Sequence, residues 1–388
     1  MTEVTVVGGG IAGLVASIAC AESGASVRLL EAHSALGGRA RSTDAPFVAN
    51  FGPHVLYANG RLWAFLQERD LLPPVNRPPL SGIRFLAGGR LRRVPPLTVV
   101  AALPRLRGEA PVDADFHGWV AERAGTRAAE LYARSAGVFT FDHDPGRLSA
   151  AFVWERWRQA FLNVLPQARY VRGGWSALVA ALEAGARERG VRIELGAEVT
   201  EPPSAPAIVA TELPAARALL GDETVRWPGA RTVTLDVGLR SRRGDPFVVW
   251  DLDDAGWAER FSAADRSLAP AGHDLVQAHL GLRPGESADD GERRLERVLD
   301  AGFRGWRERT TFRRRMVLDE RTGALDLPGT SWRDRPAIDR GGGVFLAGDA
   351  TAAPGLLSDP AVTSGLAAAR GALAFVAQAG RLAESSRL

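Results

Sequence analysis

Two segments more than 300 residues apart carry the residue types that grip a dinucleotide: Gly8-Gly9-Gly10-Ile11-Ala12-Gly13 near the start of the chain and Gly348-Asp349 near its end. In the first, Gly8 permits a tight turn, Gly10 lets the backbone approach a pyrophosphate, and Gly13 allows a helix to pack closely on a strand. Ile11 and Ala12 then open a helix whose positive end faces the phosphates. Glu31, followed by Ala32, stands 21 residues after Gly10, where a carboxylate accepts hydrogen bonds from an adenosine ribose and disfavours a 2′-phosphate. Gly37 and Gly38 free the backbone beside Arg39, whose planar fork of donors suits phosphate oxygens. The glycine fingerprint alone does not separate NAD from FAD. The Gly37 to Arg39 segment favours FAD, and Asp349 after Gly348 is placed to bind ribityl hydroxyls.

These residues need elements to hold them, and the apolar spacing supplies those elements. Val4, Val6 and Val7 read as a strand, and Leu14, Val15, Ile18 and Ala19 continue at helical spacing until Gly24. A second strand, Val27 to Leu30, delivers Glu31. Near the other end, residues 343–347 form a short apolar strand leading to Asp349, and an Ala-rich helix follows 354–365. The N-terminus of that helix, with Ala361 and Val362 just before it, would present amides and a positive dipole to the edge of a flavin that gains negative charge on reduction. A capped helix after a core strand is the simpler reading of that segment taken alone.

With these motifs, the chain resembles the FAD-dependent superfamily of phytoene desaturases, protoporphyrinogen oxidase and flavin amine oxidases, and it is closest to the desaturase branch. Residues 170–175 and 190–199 are similar to the segment in which that family returns to its FAD domain, and 207–211 to the strand that follows. The resemblance implies that Val199 contacts adenine through its backbone. It also implies that Gly52, Pro53 and His54 lie at the flavin ring, where His54 would transfer protons or tune the flavin. His54 read without the resemblance is a loop brace. Asp359, in the loop expected near the flavin, is a second candidate for proton transfer, and Asp before Pro360 is equally turn chemistry. The implied fold is α/β, a Rossmann-type FAD-binding domain with an interleaved α+β substrate domain made of an antiparallel sheet and a helical cap. Its expected ranges are 1–54, 169–225 and 334–388 for the cofactor domain and 55–168 with 226–333 for the substrate domain.

Composition narrows the alternatives. At 46% hydrophobic residues over 388, the chain can bury a large core. The formal net charge is only +3 and the arginines are dispersed, so nucleic-acid binding is not expected. All 48 basic residues are arginine; without lysine the chain can form no Schiff base and has no lysine general base. Cys20 is the single cysteine, which leaves no internal disulfide or thiolate metal cluster, and no metal site is expected. No continuous apolar run approaches the roughly 18 residues of a membrane span, and the cytoplasm is the expected location. One local patch, Arg84, Arg90, Arg92 and Arg93 before the apolar stretch Leu97 to Leu103 with Arg105 and Arg107 beyond, could rest on a membrane as a peripheral contact. A surface loop and an ordinary buried helix is the competing reading.

Helices are expected over 61–70, 116–136, 148–161 and 294–303, and strands over 232–237, 247–251 and 274–280. His143 sits in a Pro/Gly turn, and His117, His273 and His279 read as structural. The functional expectation is a flavoenzyme with noncovalent FAD that moves hydride from an activated C–H of a small or lipophilic, mainly apolar substrate to flavin N5. Two other classes fit the same motifs: a non-redox flavin-dependent isomerase or mutase, and a non-enzymatic prenyl carrier of the GDP-dissociation-inhibitor type. Oligomeric state has no sequence signal.

Overall fold

The computed structural model describes residues 3–162 and 167–385. The ends of the expected domain ranges at 1–2 and 386–388, and residues 163–166 of the substrate range, lie outside these. A five-stranded parallel sheet is built from Glu3–Val7, Ser26–Glu31, Arg192–Leu195, Ala207–Val209 and Val344–Leu346. In space the order is Val344–Leu346, Ala207–Val209, Glu3–Val7, Ser26–Glu31, Arg192–Leu195. The strand order therefore reverses on either side of Glu3–Val7, and the turn at Gly8 leaves the sheet at that switch point. Ligands of open α/β sheets bind at such a crevice beyond the carboxyl ends of the strands.

The first helix, Ile11–Glu22, is apolar nearly all round and sandwiched in the core. On it lies the C-terminal helix Asp359–Ser385, brought so close at Gly365 that a Cβ there would sit 2.7 Å from the carbonyl oxygen of Ala12. Residues 359–379 of this helix have the length and mean hydropathy, 1.3, to span a bilayer, although Asp359 and Arg370 interrupt the apolar run. Its contacts with the first helix and with Val344–Leu346 give it a core-facing side.

The second sheet has seven strands in the order Thr310–Thr322, Ala230–Arg240, His273–Gly281, Trp257–Arg260, Val248–Asp251, Ile83–Ala87, Arg90–Arg92. All pairs are antiparallel except Val248–Asp251 with Ile83–Ala87. One face packs on the helix Ala288–Gly302 through Leu235, Ala278, Leu295 and Val298. The expected helical segment differs in two places. Residues 83–92 form a hairpin at the edge of this sheet, because Gly88 and Gly89, both at positive φ, turn the chain back on itself. The helix expected over 116–136 is split into Phe116–Ala124 and Thr126–Ser135 by Gly125, which holds φ +86° between them. With Ala150–Phe161 these helices enclose their own aromatic core of Phe116, Trp119, Tyr132, Trp154 and Trp157.

Candidate cofactor and substrate site

The glycine turn divides into structural and open positions. A Cβ on Gly13 would run into the carbonyl oxygen of Gly8, and one on Gly8, at φ +103°, would meet the Ala210 carbonyl. These two glycines exist for packing. Gly10, by contrast, caps the helix with no heavy atom within 4 Å of its missing Cβ, and Gly348 is equally open. At Gly38 the only neighbour is the Cα of Gly10, at 3.9 Å. Gly10 and Gly38 thus face one space at the positive end of the Ile11–Glu22 helix, the arrangement that accepts phosphate oxygens.

Charged groups complete the cradle. Glu31 accepts from the backbone N–H groups of Gly9 at 2.7 Å and His33 at 2.9 Å. Burial raises its pKa, but these donors and the His33 ring outweigh that and hold it below the usual carboxylate range. Arg39 and Asp349, 310 residues apart, meet through two contacts of 2.8 Å from one guanidinium nitrogen to both carboxylate oxygens. The carboxylate raises the arginine's pKa further against the opposing effect of burial. Ser364, on the last helix, accepts from Gly348 N–H at 2.9 Å and donates to its carbonyl at 3.0 Å, which pins the Gly348-Asp349 turn to that helix. Ala361 and Val362 are buried in the first turn of that helix. Val199, beyond the end of Arg192–Leu195, packs against the core cluster of Val7, Val209 and Leu346, and the exposed Ala32 follows Glu31. The donor set and the open glycines suit a dinucleotide such as FAD.

The loop with Gly52, Pro53 and His54 is clamped from three sides. Asn50 accepts at its side chain from Ser42 Oγ at 2.8 Å and Trp175 N–H at 2.9 Å. Its carbonyl receives Gln277 Nε2 at 3.0 Å and Arg314 Nη2 at 2.6 Å. Gln277 and Arg314 both bind Asp236, which stands between them in register on the antiparallel sheet. His54 Nε2 lies 2.8 Å from the Arg39 carbonyl oxygen, which assigns its proton to Nε2, and its ring leans on Trp175 at 4.7 Å. Packed protein surrounds the ring although one side remains partly open, and this burial pulls its pKa down to about 4. The imidazole is neutral near pH 7 and braced, a geometry that orients the loop more readily than it shuttles protons.

Asp359 is also committed to the fold: its Oδ1 accepts the N–H of Arg61 at 2.7 Å and of Leu62 at 3.4 Å, capping the helix Arg61–Gln67. Burial raises its pKa against these donors. It nevertheless lines a small cavity, with about 20 Å³ of enclosed space, together with Tyr57, Phe139, Arg156, Gln159 and Leu356. Behind Tyr57 lies a buried pair in which Tyr170 donates to Glu259; burial pushes this carboxyl up to about 7. His279, read from sequence as structural, is buried between Trp257 and Phe141 and close enough to feel the charge of His54. Tyr57, Arg156, Glu259, Gln277 and Arg314 have no local signature that marks them. Only the two-residue alternation of the strands, which puts Asp236, Gln277 and Glu259 on one face in register, would have grouped three of the residues involved.

Residues 6–69 match a family model described as an NAD(P)-binding Rossmann-like domain. The N-terminal unit is a dinucleotide-binding Rossmann domain. No curated protein matches the chain by sequence. Among solved structures, an oxidoreductase from Methanosarcina mazei superposes with TM-score 0.76 at 16% identity, covering 94% of this chain and 99% of that one. Putrescine oxidase bound to putrescine gives 0.73 at 13%, with 97% and 99% covered. Reduced UDP-galactopyranose mutase gives 0.72 at 14%, with 97% and 96% covered. At these identities the likeness is one of fold: a parallel Rossmann sheet beside a separate, mostly antiparallel sheet with helices, as in flavin-dependent amine oxidases.

Proposed function

We propose that the protein binds one FAD noncovalently and works as a desaturase-like or dehydrogenase-like oxidoreductase on an activated C–H bond. The observation that carries this reading is the meeting of Arg39 and Asp349 beside the open backbone of Gly10, Gly38 and Gly348. Bound flavin would supply the redox chemistry by accepting hydride. The chain's own part is to hold phosphates at the Ile11–Glu22 helix, to orient the ring with the clamped Gly52–His54 loop, and to exclude water from the cavity by Leu62, Phe139, Leu356 and Leu357. Noncovalent attachment is supported by Cys20 being buried inside the first helix, where burial lifts its pKa to about 12, and by the absence of histidine from the 343–365 segment.

Simple amines are disfavoured as substrates. The chain has no lysine, a residue that many flavin amine oxidases use near the flavin. Charge adds to this, since Arg156 lines the cavity and repels an ammonium group. The test is acid release of yellow flavin followed by anaerobic stopped-flow reduction with amines beside enone and polyene precursors. Bleaching by the unsaturated compounds supports the reading, and rapid bleaching by amines overturns it. Turnover that requires a reductant without consuming it identifies a mutase instead, and a colourless protein that takes up no FAD identifies a carrier.

A peripheral membrane contact is proposed for the 84–107 segment. Leu97 and Val100 of its short helix Leu97–Ala102 are 83% and 56% exposed, which supports this reading over that of an ordinary buried helix. Around it Arg90, Arg92, Arg93, Arg105 and Arg107 are exposed and form no ion pair among the described residues. Exposed apolar side chains ringed by unpaired cations suit an anionic bilayer surface.

A further inference from the structure

Arg156 is the one cation of the cavity wall drawn inside the fold, and its surroundings do not balance its charge. It is 8% exposed, on the helix Ala150–Phe161. One nitrogen donates to the Phe152 carbonyl of its own helix at 3.1 Å, and the guanidinium lies 3.5 Å over the Phe152 ring. Those contacts use one of five N–H donors and one face of the plane. No carboxylate forms an ion pair with it among the described residues. The nearest acid that could, Asp326, is taken by a bidentate bridge to Arg335 at 2.8 and 2.9 Å, and Arg335 adds a second positive charge nearby. Burial and that neighbour pull the pKa of Arg156 down to about 9, which still leaves it cationic at neutral pH.

A guanidinium so largely withdrawn from water is stabilised by an anion beside it, and the cavity is the space through which one can reach its remaining donors. We propose that this cavity is a subsite for the carboxylate of an amphipathic substrate, with Arg156 as the residue that binds it. Gln159 and Ser358 supply further polar groups at the wall, whereas Leu62, Phe139, Ala160, Leu356 and Leu357 supply an apolar lining for the remainder of the molecule. Asp359 shares this wall, and burial raises its pKa, which weakens the negative charge it sets against an anion. The enclosed space is about 20 Å³, which takes the head of a compact acid and leaves no room for a long polyene. The proposal deepens the oxidoreductase reading by naming the substrate class of that same site.

The experiment is calorimetric titration of the purified protein with hexanoate and with its neutral isostere hexanamide, alongside measurement of flavin content. Hexanoate is expected to bind roughly ten- to hundred-fold more tightly, the range for hydrogen bonds to a charged group. Arg156→Met should equalise the two ligands while retaining the parent's flavin content. Equal binding of acid and amide by the parent overturns the subsite without any variant, and so does a preference that survives in Arg156→Met or, should that variant not fold, in Arg156→Gln. Heat of binding does not depend on flavin: a flavin-free protein that prefers hexanoate keeps the subsite and sinks the oxidoreductase reading.

Discussion

The nucleotide cradle and the cavity at Arg156 are built on opposite plans. The cradle is made of backbone: its key positions are glycines whose missing Cβ either permits packing, as at Gly8 and Gly13, or leaves room, as at Gly10 and Gly348. The cavity is made of side chains delivered by separate segments, Tyr57, Phe139, Arg156 and Leu356 among them. A site defined by backbone leaves a short local pattern of residue types. One defined by converging side chains leaves none, since each member obeys only the rules of its own helix or strand.

The most damaging way to probe this contrast is to add atoms to the cradle. Gly10→Glu is expected to abolish FAD binding while leaving the circular dichroism spectrum intact, because its Cβ enters open space where the cofactor must lie. Normal flavin content would remove Gly10 from the site. Gly13→Ala should instead lose the fold, since its Cβ collides with the Gly8 carbonyl; a stable variant would show that the turn can shift. Next in size, Arg314→Met leaves Asp236, fully buried, without its cation. Chemical denaturation should show a loss of roughly 3–5 kcal/mol, the range for breaking a buried pair. An unchanged midpoint would mean that the clamp on Asn50 carries no weight.

The ionisable groups give a smaller, pH-dependent test. His54 is depressed from 6.5 to about 4, so its contribution to stability is present above 6.5 and is lost as the pH falls through 4. Glu259 is raised from 4.5 to about 7, so its contribution is present below 4.5 and is lost as the pH rises through 7. Melting curves from pH 4 to 8 should therefore show Glu259→Gln gaining on the parent as pH rises, and His54→Ala falling less steeply than the parent on acidification. Parallel curves would contradict both assignments. Smallest in its effect on folding, exchange of Arg90, Arg92 and Arg93 for Glu should shift stability by no more than about 0.5 kcal/mol but release the protein from vesicles of phosphatidylserine. Retention on those vesicles would remove the segment from any membrane contact.

How much could be read in advance follows the same division. The strand, turn and helix around Gly8 to Gly13, the acid at Glu31 and the Gly348-Asp349 turn were legible because their spacing is local and their chemistry demands glycine. Strands over 232–237, 247–251 and 274–280 were legible from alternation and proved longer or shorter by only a few residues. The 83–92 hairpin was hidden by its arginines, which read as a basic patch although they alternate on an exposed edge. His279 gave no sign of its place near His54, because a histidine on a strand carries no mark of what another segment lays against it. Arg156 was invisible for a related reason: in an arginine-rich chain, only tertiary structure distinguishes the guanidinium that lacks a carboxylate.

The Arg39–Asp349 contact, across 310 residues, also has a consequence in time. A ribosome adding roughly 5–20 residues per second releases the glycine turn some tens of seconds before it makes the aspartate that completes the site. For the first part of that interval one edge of Glu3–Val7 has no partner, until Ala207–Val209 is made, and the outer edge of that strand then stays open until Val344–Leu346 follows. Cofactor capture is thus a closing event of biosynthesis, and a stalled or truncated nascent chain exposes a sticky strand edge with no nucleotide to shield it.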